Sequence, residues 1–216
     1  MSREVLIGEA PLGIGGVVAV ARASAAVRVG TAGRARIAAA HAVVDRVVRE
    51  RRVVYVVTTG FGQLATTHIP VEQARELQEN LVRSHAVGVG EPLPREVVRG
   101  AMAIRVNTFA KGHSGVRQEV VDLLVEMLNR DLIPYVPSRG SLGASGDLAP
   151  SAHLVLAMMG EGEVLTAGGQ REPVAPALAA AGLRPLRLEP KEGVSLINGT
   201  QFMAAIDSLA VADGEA

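Results

Sequence analysis

The sequence predicts a mainly helical fold, and three observations carry that expectation. Apolar residues recur at three- and four-residue intervals through residues 34–51, 71–85, 94–109 and 115–130. Glycine and proline clusters fall between these stretches rather than inside them. The chain has 216 residues, 48% of them hydrophobic, enough to bury a core as a single unit over 1–216.

Taken in order, residues 4–8 read as a short extended piece, 11–16 as a bend, and 17–27 as either strand or helix. From Arg34 to Arg51, Ile37, Ala40, Val44 and Val47 line one face of a helix. A β-branched run from Val53 ends in Thr-Thr-Gly-Phe-Gly, a loop held close to its surroundings. Val71 to His85 is the next helix, entered after Pro70 and closed by Gly88 and Gly90. Pro94 to Phe109 and Gly115 to Arg130 are two more, the second with Val116, Val120, Leu123, Leu124, Met127 and Leu128 on its core face. Prolines over 133–137 hold the backbone extended. Gly168-Gly169 turns a small hairpin within 160–174, an alanine-rich helix lies near 176–181, and a last helix spans about 201–211.

Composition excludes several function classes. Basic and acidic side chains number 22 each, so the formal net charge is zero and no footprint for nucleic acid or an anionic membrane appears. Aromatic residues, at 2%, are too few for base-stacking platforms. Without cysteine there is no disulfide and no thiolate metal site, a composition compatible with the cytoplasm. Residues 13–27 imitate the apolar core of a signal peptide, but Glu4, Glu9 and Arg22 interrupt the pattern, and the chain reads as mature protein. No run reaches the roughly 18 uninterrupted apolar residues of a membrane span. His41 and His113 have no partners at metal-ligand spacing and read as structural.

The stretch with chemical potential is Gly140-Ser-Leu-Gly-Ala-Ser-Gly-Asp-Leu-Ala-Pro150. Glycine at 146 presents an unhindered amide nitrogen and reaches dihedrals closed to other residues, so that nitrogen can attack the Ala144 carbonyl carbon and close a five-membered ring. Loss of water from Ser145 then leaves a 4-methylidene-imidazol-5-one, an electrophile that ordinary side chains do not supply. Asp147 is a suitable N-cap for the helix that follows, with Pro150 in its first turn. Taken alone, the same residues also suit an ordinary Gly/Ser loop before a capped helix.

Gly140 to Pro150 resembles the prosthetic-group loop of the histidine and phenylalanine ammonia-lyase family. Three more stretches match that family in the same order: Tyr55-Val-Val-Thr-Thr-Gly-Phe-Gly62, Leu77-Gln-Glu-Asn-Leu-Val-Arg-Ser-His-Ala-Val-Gly88 and Lys191-Glu-Gly-Val-Ser-Leu-Ile-Asn-Gly-Thr-Gln201. The resemblance runs from about residue 5 to the end and covers the N-terminal part of a family whose members are well over twice as long. It implies the N-terminal part of the fumarase/aspartase-like helical ammonia-lyase fold, with short β-hairpin elements.

It also implies a set of roles. The methylidene-imidazolone (MIO) forms from Ala144, Ser145 and Gly146, with Asp147 assisting closure, and Asn198 contacts the group. Tyr55 is the acid/base, although composition alone suits a core tyrosine with its hydroxyl satisfied. Ser84-His85, with Gly62, lies on the substrate side, and Ser-His at this position favours histidine-specific members that convert L-histidine to trans-urocanate. His85 also fits a charge complement at a helix C-terminus. Val56 replaces the glycine most members carry, which bears on loop movement. Thr58 replaces the asparagine common in histidine lyases and leans toward a phenylalanine or tyrosine lyase, or a 2,3-aminomutase.

Family members are tetramers whose sites combine several subunits, and their carboxylate-binding arginine, second tyrosine, glutamine and late glutamate lie in a C-terminal portion without counterpart here. The implied state is therefore a homo-oligomer, or a hetero-oligomer with a C-terminal lyase partner, acting on a small amino acid. A non-catalytic assembly or regulatory subunit retaining the fold is the reading from a different class.

Overall fold

The computed structural model describes residues 4–55, 57, 59–60, 71–142 and 146–215. Strand β1 (Val5–Ile7) pairs in parallel with β2 (Val27–Val29), and α1 (Ile14–Arg22) makes the crossover that a parallel pair requires. The stretch that read as either strand or helix is thus both, divided at Ser24, which turns with φ +49°. Helix α2 (Thr31–Arg49) follows, then α3 (Val71–His85) and β3 (Val89–Pro92).

The centre of the fold is α4 (Arg95–Ala110), which packs against α1, α5 (Gln118–Asn129) and α9 (Gln201–Gly214). Gly100 makes the crossing possible, since a Cβ there would lie 3.2 Å from the Ala205 Cβ of α9 and 3.4 Å from the Val17 side chain of α1. Helix α5 begins three residues later than its apolar pattern suggests, because Gly115 takes φ +75° and Arg117 stays extended as its N-cap. Strand β4 (Pro137–Arg139) pairs antiparallel with β3, and α6 (Leu148–Met158) follows the 140–147 stretch. The expected hairpin is β5 (Glu163–Leu165) with β6 (Arg171–Pro173), and α7 (Val174–Ala180) starts where Pro173 sets the backbone.

A helix without a sequence expectation is α8 (Glu192–Ile197), six residues long, which packs on α3 and α6. By length and composition the helical stretch Glu192–Gly214 passes for a membrane span. In the fold it is two helices, α8 and α9, broken at Asn198 where ψ is +110°, and α9 carries Asp207 and Asp213. The main core runs through all of the larger elements, with Met102, Phe109, Leu124, Met127, Ile133, Met158 and Leu196 nearly solvent-free. A small separate cluster joins Val44 and Val47 of α2 to Val57.

Candidate functional site

The loop before α6 is fastened to the chain that leads from α8 into α9. The Asp147 amide donates to the Gly199 carbonyl at 2.7 Å. Gly146 is buried with φ +112°, and a Cβ on it would lie 2.5 Å from the Gly199 carbonyl oxygen and 2.8 Å from its carbon. Only glycine satisfies both that dihedral and that contact. Two of the stretches singled out in the sequence, 140–150 and 191–201, therefore meet backbone to backbone.

Asp147 does not do with its side chain what an N-cap does. It stands at the N-cap position of α6 but makes no side-chain bond to that helix. Its carboxylate accepts from the Met203 amide at 3.0 Å and from Ser141 Oγ at 2.8 Å. Met203 lies in the first turn of α9, whose own N-cap residue, Thr200, gives no side-chain bond. Asp147 thus caps α9 from outside, accepting from an orphan N–H of that helix and placing a negative group at its positive end. Its carbonyl meanwhile accepts from Ser151 Oγ at 2.6 Å, and Gln201 Nε2 donates to that same hydroxyl at 2.5 Å.

Short helix α8, which delivers Asn198, is anchored at its start, along its length and at its end. At its start, Glu192, 1% exposed, accepts from the Arg117 amide, from Arg117 Nε at 2.9 Å and Nη2 at 2.8 Å, and from the Glu189 amide. The guanidinium is raised above its ordinary range by that carboxylate. In the middle, the Gly193 amide donates to Gln78 Oε1 of α3. At the C-terminal end, Arg105 Nη2 donates to the carbonyls of Ser195, Leu196 and Asn198 at 2.7, 2.6 and 2.9 Å. The Asn198 side chain itself is exposed.

Ser84 and His85 close α3. Ser84 Oγ and His85 Nδ1 both bond to the Leu81 carbonyl, at 2.8 Å each, so Nδ1 carries the ring proton there. Three residues on, Gly88 is tucked against the entrance of the loop: a Cβ on Gly140 would lie 2.9 Å from the Gly88 Cα. The Gly88 amide donates to His153 Nε2 of α6 at 3.0 Å, which requires an unprotonated acceptor. Burial accordingly pushes the His153 imidazole below its ordinary value.

Tyr55 differs from the core residue its composition suggested. It is 58% exposed, and its neighbours Val54 and Val57 belong to the satellite cluster on α2. Ala144, Ser145 and Gly62, together with Val56 and Thr58, lie outside the described residues.

Among the residues without a sequence assignment, Arg105, Glu192 and His153 matter most. Arg105 carried a signal: it occupies the core stripe of α4 with Val98, Ala101, Met102 and Phe109, a charge where helical spacing calls for an apolar residue.

The family model for aromatic amino acid lyases matches residues 12–216. This chain belongs to the aromatic amino acid lyase family. It is 51% identical over 199 residues to a histidine ammonia-lyase of Symbiobacterium thermophilum, covering 92% of this chain and 39% of that protein. The crystal structure of histidine ammonia-lyase from Trypanosoma cruzi superposes with a TM-score of 0.88 at 40% identity, over 97% of this chain and 40% of that one. Tyrosine aminomutase from Streptomyces globisporus gives a TM-score of 0.90 at 36% identity, over 97% and 39%. The lyase-family chain thus spans about two-fifths of the length of its curated relatives, and its fold is that of the corresponding part of these helical enzymes.

Proposed function

We propose that this chain is the N-terminal, MIO-bearing part of a carbon–nitrogen lyase that eliminates ammonia from an aromatic amino acid, with L-histidine the first substrate and trans-urocanate its product. The junction of Gly146 and Asp147 with Gly199 and Met203 carries the proposal. It supports ring formation because it seats the nucleophilic end of the Ala144-Ser145-Gly146 tripeptide in a conformation only glycine adopts, with an anchored carboxylate beside it. When formed, the ring would supply an electrophile for the substrate amine, covalent chemistry with the polarity opposite to that of a nucleophilic side chain.

The remaining roles belong to the chain's own residues. Tyr55, at the surface, removes the poorly acidic β-proton with its phenolic oxygen. His85, held through Nδ1 by its own helix, orients an imidazole, with Ser84 and Gly62 beside the substrate. Asn198, exposed at the anchored end of α8, would hold the ring, and Asp147 assists closure. Full activity requires the C-terminal lyase portion, in the same or another polypeptide, within a homo- or hetero-oligomer in the cytoplasm.

Two measurements test this. Ring formation expels two waters, so the intact mass should fall about 36 Da below that of the unmodified sequence. An unshifted mass would favour a non-catalytic subunit. With the C-terminal portion supplied, L-histidine should give the absorbance of urocanate, and the chain alone should not turn over. The likeness to a tyrosine aminomutase and the threonine at position 58 favour a second reading, a phenylalanine or tyrosine lyase or a 2,3-aminomutase. Product analysis over a panel of aromatic amino acids separates the two.

A further inference from the structure

Arg105 is 3% exposed, and among the described residues no carboxylate pairs with it. Among the described residues its Nε has no hydrogen-bond partner, and the guanidinium carbon lies 5.1 Å from the Phe109 ring centroid. Burying a cation in this way is costly, and desolvation pushes its pKa down to about 10. What offsets the cost is the end of α8: three carbonyls at the negative pole of that helix converge on Nη2. An apolar residue at 105 would avoid the buried charge but leave those carbonyls without donors and Asn198-Gly199 without a fixed seat.

The position of that seat matters because Gly199 is shared. A Cβ at Gly199 would fall 2.5 Å from Arg105 Nη1 and 2.6 Å from Gln201 Oε1, itself buried without a donor among the described residues. The Gly199 carbonyl holds the Asp147 amide and covers Gly146. The guanidinium and the loop therefore bear on the two successive peptide units that meet at Gly199.

We infer that Arg105 is a positioning residue for ring closure: its guanidinium fixes the chain at Asn198 and Gly199, the segment against whose Gly199 carbonyl Gly146 is seated, and so places the Gly146 amide nitrogen for attack. The inference rests on the ring-forming reading above. In that closure the Gly146 nitrogen bonds to the Ala144 carbonyl carbon. The carbonyl oxygen leaves as water with the amide protons of Ser145 and Gly146. The Ser145 hydroxyl leaves with its Cα proton as a second water, and nothing is oxidised or reduced.

The test compares intact mass, over time after synthesis, in the wild-type protein, Arg105→Met and Arg105→Lys, with circular dichroism and thermal midpoint measured on the same samples. The wild type should lose two waters. Arg105→Met, folded, should mature roughly tenfold more slowly or not at all, the effect of removing a charge-assisted hydrogen-bond donor. Arg105→Lys, with one ammonium in place of the fork, should recover part of the rate. A folded Arg105→Met that matures at the wild-type rate overturns the inference. If Arg105→Met fails to fold, Arg105→Lys decides: maturation slowed at an unchanged thermal midpoint supports the inference, and an unchanged rate overturns it. A wild-type protein of unmodified mass removes the ring-forming reading, and the role of Arg105 falls with it.

Discussion

Asp147 and Tyr55 are assigned to the same site by family resemblance, yet the chain holds them in opposite ways. Asp147 is 7% exposed, and its amide, its carbonyl and both carboxylate oxygens are engaged by Gly199, Ser151, Ser141 and Met203. Tyr55 is 58% exposed, with neighbouring Val54 and Val57 packed outside the main core. In the proposed function, ring closure occurs once, inside a single chain, and needs atoms held in a rare conformation, which the buried junction would supply. Proton transfer must meet a substrate that comes and goes, and the exposed phenol suits it. The difference teaches that the two halves of the proposed site should respond separately to mutation.

The strongest way to break the junction is Gly146→Ala. The substitution combines a backbone conformation closed to alanine with a Cβ 2.5 Å from the Gly199 oxygen, a backbone atom that the Asp147 amide also holds. Strain and overpacking together should cost about 2–5 kcal/mol. Urea unfolding should show the loss, and intact mass should show no water expelled. A stable Gly146→Ala protein would mean that the junction is looser than its contacts imply.

A smaller perturbation reaches the same region through pH. Burial lowers the His153 pKa from its ordinary 6.5, so as pH falls through that value the unfolded chain takes up a proton before the folded chain does. The stability that the neutral ring contributes is complete above about pH 6.5 and is lost below it, at no more than about 1.4 kcal/mol per pH unit. Between pH 6.5 and 5, above the carboxylate range, the wild type should lose stability faster than His153→Gln, whose amide oxygen still accepts from Gly88. Parallel pH profiles for the two proteins would show that the Gly88 contact does not couple to protonation.

Much of this was legible in the sequence, and the limits have physical causes. The long helices follow from 3.6-residue periodicity, and α3 falls within the stated bounds because proline and glycine punctuate it. Helix α8 has too few residues to display a period, and its stability comes from Arg117, Gln78 and Arg105, all distant in sequence. The parallel pairing of Val5–Ile7 with Val27–Val29 is a tertiary fact that three-residue strands cannot announce. At the site, Gly146, Asp147 and Asn198 were readable as motif positions. The use of the Asp147 side chain was not, because local sequence suggests a cap for α6 whereas the carboxylate serves α9, 56 residues away. Arg105 was visible in principle as a charge on an apolar stripe, but its partners lie about 90 residues further along.

The sharpest separation of the two halves comes from the change with the least effect on folding. Tyr55→Phe removes one hydroxyl from a side chain that is mostly in water, so stability should stay within about 0.5 kcal/mol of wild type. The intact mass should still fall by two waters, because nothing in the junction of Gly146, Asp147 and Gly199 is altered. Turnover in the active oligomer should nevertheless drop about 10²–10⁴-fold, the range for losing a positioned acid/base. Normal mass with lost turnover would establish that closure and proton transfer are carried by independent parts of the chain. A Tyr55→Phe protein that fails to mature would instead tie Tyr55 to the junction and erase the contrast with Asp147, while one with full activity would assign the proton to another residue.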